Sequence, residues 1–263
     1  MVRFIKDILS RINSPQRGYV YVERDDPGVM TAAKPGARAQ IPGRSPPWIV
    51  VNHDLAVVTV ARWPGSLWYV EVVDPITPEE QKDSPLRADA GYTRAAAVKV
   101  LKQVAVGELF GAHGSKVCTI INAAGELTLE TAGRLTESRH AHASEAASRL
   151  WRAWIARHQV LFAGYRGDFD GVISVGRPRS PIGVALGVVS AQVGRRAEAV
   201  AGKSVWIDVP DDPEEVYLAK PWSGAQHPLF DAALAVGAPE FVSAADRSIL
   251  LEGWRSVFGD DPA

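Results

Sequence analysis

The sequence predicts an α+β fold with an antiparallel meander near the N-terminus, a helical middle and a C-terminal helix–β-hairpin–helix unit. Three observations predict it. Apolar and polar residues alternate in short runs between residues 18 and 74, helical spacing dominates from 92 to 159, and helix start and stop signals follow. A length of 263 residues is enough for one large domain or two smaller ones.

The first segment, MVRFIKDILSRINS, places its apolar residues at helical spacing and predicts a short amphipathic helix. Lys6, Asp7 and Arg11 interrupt its apolar run, so we do not expect a secretory signal. No apolar run approaches the roughly 20 residues needed to span a bilayer. A single cysteine, Cys118, excludes an internal disulfide framework. We therefore expect a cytoplasmic protein that does not bind membranes.

The meander begins after a separate strand, GYVYVE, and a connection rich in glycine and proline. This connection covers residues 24–47, and a loop of that length is either mobile or functional. Alternating apolar residues then predict the three strands of the meander, WIVVN, LAVVTVARW and SLWYVEVVD.

The turn between the last two of these strands is predicted at Pro64-Gly65. Proline presets φ at the first corner and glycine tolerates a positive φ at the second, as a type II turn requires. Alternation along the third strand places Trp68 on the core face, opposite Tyr69 and Glu71. Trp63 ends the preceding strand, and its face depends on a register that the sequence leaves open.

The middle of the chain is predicted to be helical. YTRAAAVKVLKQV has helix-like spacing of Ala95, Val98 and Leu101, and a second helix is expected from about Ser115 to Gly125. Residues 129–159 are rich in Ala, Arg and Glu and predict one long amphipathic helix.

The C-terminal part carries clear helix caps. Ser180 suits an N-cap, Pro181 the first turn and Gly202 the C-terminal stop. KSVWIDV and EEVYLAKPW then predict a hairpin, and Ser243 caps the last helix. The change of character after residue 158 favours two regions, 1–158 and 159–263, which can also form one continuous domain.

Small residues form one face of the helix that follows Pro181, namely Gly183, Gly187, Ala191 and Gly194. Each interior glycine costs roughly 0.8–1 kcal/mol relative to alanine, so another backbone is expected to pack closely against this face. On that interpretation Gly187→Leu destabilises the fold by several kcal/mol.

A metal site is the first chemical hypothesis, because RHAHASE contains His140, His142 and Glu145. Residues two apart on a helix point about 200° away from each other, so the two histidines cannot share an ion there. His142 and Glu145 can do so, but they need another ligand from elsewhere. We favour a solvated helix face, with no metal or other cofactor, and keep the His142–Glu145 pair as the alternative.

The strongest enzymatic alternative is YRGDFDG, in which Asp168 and Asp170 can hold Mg²⁺ for phosphoryl transfer or hydrolysis, with Arg166 on the phosphate. D-x-D pairs are also common in turns, and no phosphate-binding loop accompanies this one. Ser223 near His227 lacks the G-x-S-x-G pattern of a nucleophilic serine, so Ser223 is expected to cap a helix.

The function favoured by the composition is protein binding. A net charge of -1 lacks the basic footprint of a nucleic-acid-binding protein. Eight tryptophans without a catalytic motif suggest interface anchors, for which Trp63 and Trp222 are the candidates. The Ala-, Val-, Arg- and Gly-rich composition resembles that of GC-rich bacteria. We therefore predict a non-catalytic protein-binding module of a bacterial cytosol, for example a toxin- or effector-neutralising immunity protein.

Overall fold

The computed structural model of the chain describes residues 16–81, 91–157, 180–209 and 212–263. These residues form two compact units. The sheet unit is built from residues 16–59, 64–81 and 91–106, and the helical unit from residues 60–63 and the described residues after 106. The mixture of strands near the N-terminus and helices after them confirms the predicted α+β class.

The sheet unit is a small antiparallel barrel in the described residues. Its strands are β1 (Arg17–Glu23), β2 (Arg38–Gln40), β3 (Ile49–Asn52), β4 (Gly65–Pro75) and β5 (Tyr92–Val104). β4 pairs with β1 on one edge and with β5 on the other, and β5 pairs with β3 and β2. β3 returns to β1 through the pair Tyr19–Asn52, so the sheet closes on itself.

The core of the sheet unit follows from the alternation of its strands. Val20 and Val22 of β1 are buried, and Trp68 and Val70 of β4 lie in the same apolar cluster. This confirms the predicted strand GYVYVE and the predicted place of Trp68 in the core.

The predicted hairpin at Pro64-Gly65 is wrong. Residues 55–63 form no strand, since Leu55–Val57 make a 3-10 turn that the Asp54 carboxylate caps through the Ala56 N–H at 2.8 Å. Both edges of β4 are already paired, which leaves none for a further strand. Gly65 instead begins β4 opposite Glu23, where a Cβ would lie 2.5 Å from the carbonyl oxygen of Val22.

The helix predicted for YTRAAAVKVLKQV is also wrong, because this segment is the long strand β5. Alanine and leucine favour helices, but the strand is paired along both edges and Ala95, Ala96 and Ala97 are buried. Ladder pairing and burial therefore override the local helix propensity, as tertiary contacts often do.

The helical unit places six helices and one hairpin in the described residues. The helices are α1 (Gly114–Gly125), α2 (Leu129–Ser138), α3 (Ala143–Arg157), α4 (Pro181–Ala201), α5 (Trp222–Gly237) and α6 (Ala244–Phe258). The hairpin joins β6 (Trp206–Val209) to β7 (Asp212–Leu218). α5 is apolar on nearly all sides and contacts each of the other five helices, so it forms the centre of the unit.

The predicted caps of α4 and α6 are confirmed. The Ser180 hydroxyl accepts the Gly183 N–H at 3.0 Å, and Gly202 ends the helix with a positive φ. Ser243 accepts the Asp246 N–H at 3.1 Å. Ser223 is not a cap, because α5 already begins at Trp222 and Pro221 precedes it.

The long helix predicted for residues 129–159 is two helices. α2 ends at Ser138, and Arg139 has an extended backbone. Its guanidinium donates to the buried Asp231 carboxylate of α5 at 2.7 Å from Nε, an ion pair between residues far apart in the sequence. Residues 139–142 therefore form a connection whose position depends on a distant partner.

The packed face predicted for α4 is largely wrong. Gly183, Gly187 and Ala191 are exposed, and apart from its chain neighbours and the backbone of its own helix no described atom lies within 4 Å of a Cβ placed on Gly187. Gly194 alone behaves as expected, since it is buried and a Cβ there would lie 3.0 Å from the Trp206 ring.

Two further predictions concern residues outside the described ranges. The N-terminal amphipathic helix falls within residues 1–15. The boundary between regions 1–158 and 159–263 falls in residues 158–179 and stays a prediction. The described helices on both sides of that gap belong to the same unit.

Candidate functional site

The described residues of the sheet unit form a cleft between β1, β3 and the loop of residues 24–48. β1 and β3 pair only at Tyr19–Asn52, and beyond that pair Tyr21 and Val50 line the cleft from either side. The cleft has a volume of about 710 Å³. This is within the roughly 300–1,000 Å³ that small-molecule sites enclose.

The lining of the cleft is mainly apolar. Met30, Ile41 and Ile49 connect it with the buried core, while Trp48 and several prolines form the outer wall. Asp26 is the one charged side chain among the described lining residues. Its Oδ1 accepts the Gly28 N–H at 2.7 Å, which folds this part of the loop into a tight turn.

Backbone hydrogen bonds hold the loop of the cleft against β5. The Gly36 N–H donates to the Val100 carbonyl at 2.8 Å, and the Ile41 N–H donates to the Ala96 carbonyl at 2.9 Å. Of the two predictions for the long connection, mobile or functional, these bonds favour an ordered loop that shapes a site.

The outer wall of the cleft is held by Arg44. Its guanidinium pairs with Asp74 at 2.7 Å, with Glu80, and with the Pro75 carbonyl at 3.0 Å. The Arg44 carbonyl accepts the Trp48 indole N–H at 2.8 Å. The hydrogen bond from Arg44, followed by one from the Thr77 backbone, lowers the pKa of Glu80 to about 2.

A second surface of interest is the β6–β7 hairpin of the helical unit. Four of its side chains are large, apolar and solvent-exposed, with exposed fractions of 38% for Trp206, 38% for Ile207, 49% for Val216 and 51% for Tyr217. Ile207 and Tyr217 lie directly opposite each other, so they share one face. Within the described residues neither strand pairs with a third.

The other face of the hairpin carries its attachment to α4. Trp206 lies opposite Leu218, which is buried, and the Trp206 ring contacts the position of Gly194. The Trp206 indole donates to Glu198 at 3.5 Å, and the Ala219 N–H donates to the Val205 carbonyl at 2.8 Å. This face is therefore packed on α4 through Leu218 and part of the Trp206 ring, and the face of Ile207 and Tyr217 is open to solvent.

The two tryptophans predicted to bind a partner are both buried, with exposed fractions of 8% for Trp63 and 1% for Trp222. The Trp63 indole donates to Asn122 Oδ1 at 2.8 Å, and its ring lies 5.7 Å from that of Phe110. Partner binding through these two residues stays a prediction that their burial does not support.

The histidine cluster is not arranged as a helix. Because residues 139–142 lie between α2 and α3, the rings of His140 and His142 come within 5.5 Å of each other. His142 Nδ1 lies 2.7 Å from Glu145 Oε2, and His140 Nε2 lies 3.9 Å from Glu252. No group of three metal-ligating side chains with suitable geometry occurs among the described residues. The alternative metal site at His142 and Glu145 stays a prediction.

The alternative catalytic residues Asp168, Asp170 and Arg166 lie outside the described ranges.

Burial raises the pKa of Cys118 to about 11, so the thiol stays protonated at neutral pH. Burial likewise raises the pKa of Asp231, against the opposing effect of its Arg139 partner.

Sequence reasoning placed both strands of the hairpin but did not identify it as a surface. The sequence indicates this surface through the segments WID and VYL of the two predicted strands. Their apolar residues are consecutive, so they occupy both faces of the hairpin. Such a unit can pack only one face on a helix, which leaves the other exposed. The only sequence feature that pointed towards the cleft was the length and proline content of the connection of residues 24–47.

Comparison with protein-family models, curated proteins and solved structures finds no match. In the described parts of the chain no helix combines the length and the apolar character needed to cross a bilayer.

Proposed function

We propose that the chain is a non-catalytic protein-binding module of a bacterial cytosol, and that it engages a basic protein partner through the β6–β7 hairpin. The observation that supports this proposal is the pair Ile207 and Tyr217, which are solvent-exposed and lie opposite each other on the free face of the hairpin. Contiguous exposed apolar side chains are typical of interaction sites, and Trp and Tyr are common interface anchors.

The charge of the hairpin indicates the chemistry of the partner. Residues 206–218 contain no lysine or arginine, and their acidic residues are Asp208, Asp211, Asp212, Glu214 and Glu215. An acidic segment beside apolar anchors favours a partner surface with a basic rim and an apolar centre. Opposite charges accelerate encounter and suppress unsuitable partners.

Proteins that bind nucleic-acid phosphates have strongly basic surfaces of this kind. We therefore propose an immunity-type role as the specific form of the function. In that role the acidic hairpin occupies the basic surface of a toxin or effector and prevents it from contacting its own target.

The test begins with site-specific photocrosslinking in a lysate of the source cells. A photoreactive residue replaces Tyr217 in one variant and Val73, an exposed residue of β4, in the control variant. A protein that crosslinks only from position 217 is identified, purified and titrated against the unmodified chain. If position 217 gives no product that position 73 lacks, the proposal is wrong.

The titration then compares Tyr217→Ser with Val200→Ser, which changes another exposed apolar residue of the same unit. We expect Tyr217→Ser to raise Kd by about 30-fold, the effect of losing about 2 kcal/mol at an anchor, while Val200→Ser leaves Kd unchanged. Kd should also rise with salt concentration, because the acidic segment attracts a basic surface. Equal effects of the two variants would contradict the proposal.

A further inference from the structure

We propose that the cleft of the sheet unit is a second binding site, which takes a small apolar molecule carrying one cationic amine. The basis is one carboxylate, Asp26, at the edge of a preformed apolar cleft between β1 and β3. This site is independent of the hairpin, and neither proposal requires the other.

The size and lining of the cleft favour a small apolar ligand. Its volume of about 710 Å³ suits a molecule of drug-like size rather than a single side chain. Tyr21, Met30 and Trp48 supply aromatic and polarisable surface, and Val50 extends the apolar wall to solvent. Few polar side chains interrupt this surface, so burial of an apolar ring provides most of the affinity.

The charge of the lining favours an amine over a carboxylate. No lysine or arginine is among the described lining residues, and Asp26 supplies the one charge. Only Oδ1 of Asp26 accepts the Gly28 N–H, so the carboxylate retains acceptor capacity for an ammonium group. Charge-assisted hydrogen bonds of this kind are about twice as strong as neutral ones. An anion at the same place would be repelled.

The cleft is also preformed. The bonds from Gly36 and Ile41 hold the loop on β5, and Arg44 ties the Trp48 wall to β4 and to Glu80. A ligand therefore meets walls that are already ordered, and binding costs little conformational entropy.

The experiment uses two probes that share one ring and differ in charge, 2-naphthylmethylamine and 2-naphthoate. Binding to the full chain is followed by the NMR signal of the Trp48 indole N–H, which a Trp48→Phe variant assigns. We expect the amine to bind about tenfold more tightly than the carboxylate, since one charged hydrogen bond accounts for such a ratio. Equal binding, or preference for the carboxylate, would overturn the proposal.

Three variants test the location. Asp26→Asn keeps an oxygen for the Gly28 N–H and removes the charge, so the tenfold preference should disappear while the ring still binds. Val50→Trp fills the cleft and should weaken both probes, whereas Val73→Trp changes an exposed β4 residue outside the lining and should leave both unchanged. A preference that survives Asp26→Asn, or probe binding unaffected by Val50→Trp, contradicts the proposal.

The two proposals can fail separately. Tyr217→Ser should leave binding of 2-naphthylmethylamine unchanged, because Tyr217 belongs to the helical unit and does not line the cleft. Loss of probe binding in that variant would show that the naphthyl ring binds the hairpin instead, and would overturn the inference about the cleft.

Discussion

The cleft and the hairpin present apolar residues to solvent in opposite ways. Met30 lines the cleft and at the same time belongs to the buried core of the barrel. Ile207 and Tyr217 lie on the free face of a two-stranded hairpin, which is attached to its unit through Leu218 and part of Trp206 on the opposite face. The apolar residues of the cleft therefore contribute to the stability of the sheet unit. The apolar side chains on the free face of the hairpin add little to the stability of the helical unit.

This difference also explains why we propose a small molecule as the ligand of one surface and a protein as the ligand of the other. A concave surface surrounds a small molecule and can remove most of its area from water. An exposed hairpin face offers no enclosure, and its apolar side chains become buried only against a surface as extensive as that of another protein. The comparison can be tested by substitutions that affect one surface and leave the other unchanged.

The largest effect is expected from truncation of a cleft residue. Met30→Ala should lower the free energy of unfolding by about 2–5 kcal/mol, because it leaves a cavity in the core cluster. Ile207→Ala should change it by less than about 1 kcal/mol, since this side chain is already partly in water. Urea denaturation of both variants measures the difference. Equal losses would show that the free face of the hairpin is packed after all.

An intermediate effect is expected where the hairpin attaches to α4. Gly194→Leu should cost about 1–3 kcal/mol, because its side chain needs the space of the Trp206 ring. Gly187→Leu on the same helix should not destabilise, and the removal of a helix glycine can add up to about 1 kcal/mol. Thermal denaturation of both variants measures the changes. If Gly187→Leu proves the more damaging, the originally predicted packed face is correct.

The features predicted correctly from sequence are those stabilised by nearby residues. Ser180 and Ser243 cap their helices through N–H groups three residues away, so their roles follow from local sequence. The alternation around Trp68 is local in the same sense. The wrong assignments depend on distant partners. Strand β5 is specified by its pairing along both edges, and the break at Arg139 by Asp231, 92 residues later.

The candidate surfaces were harder to predict for the same physical reason. Composition suggested Trp63 and Trp222 as anchors, but exposure depends on what packs around a residue. Trp63 is buried beside Phe110 and Asn122, while Trp206 is partly exposed. The cleft likewise requires the separation of β1 and β3, which no local pattern in the sequence indicates.

The smallest effect concerns the Arg44 clamp on the wall of the cleft. The hydrogen bond from Arg44, followed by that from the Thr77 backbone, lowers the pKa of Glu80 to about 2 from an ordinary value of 4.5, so the charged pair favours the folded wall. Because its pKa is lowered in the folded state, ionised Glu80 stabilises the folded wall fully above pH 4.5. This stabilisation is lost as the pH falls towards 2. The Trp48 indole N–H, which donates to the Arg44 carbonyl, should therefore exchange with solvent faster over this range.

An NMR titration of the indole signals measures this exchange, with Arg44→Gln as the matched control. The variant should show faster exchange of the Trp48 N–H already at neutral pH, and the acid-dependent change between pH 4.5 and 2 should become smaller, because only the Thr77 hydrogen bonds then hold Glu80. The Trp206 signal at neutral pH should be the same in both proteins, because Trp206 lies in the other unit. A Trp206 signal that moves with Arg44→Gln would show that the two surfaces are coupled and not independent.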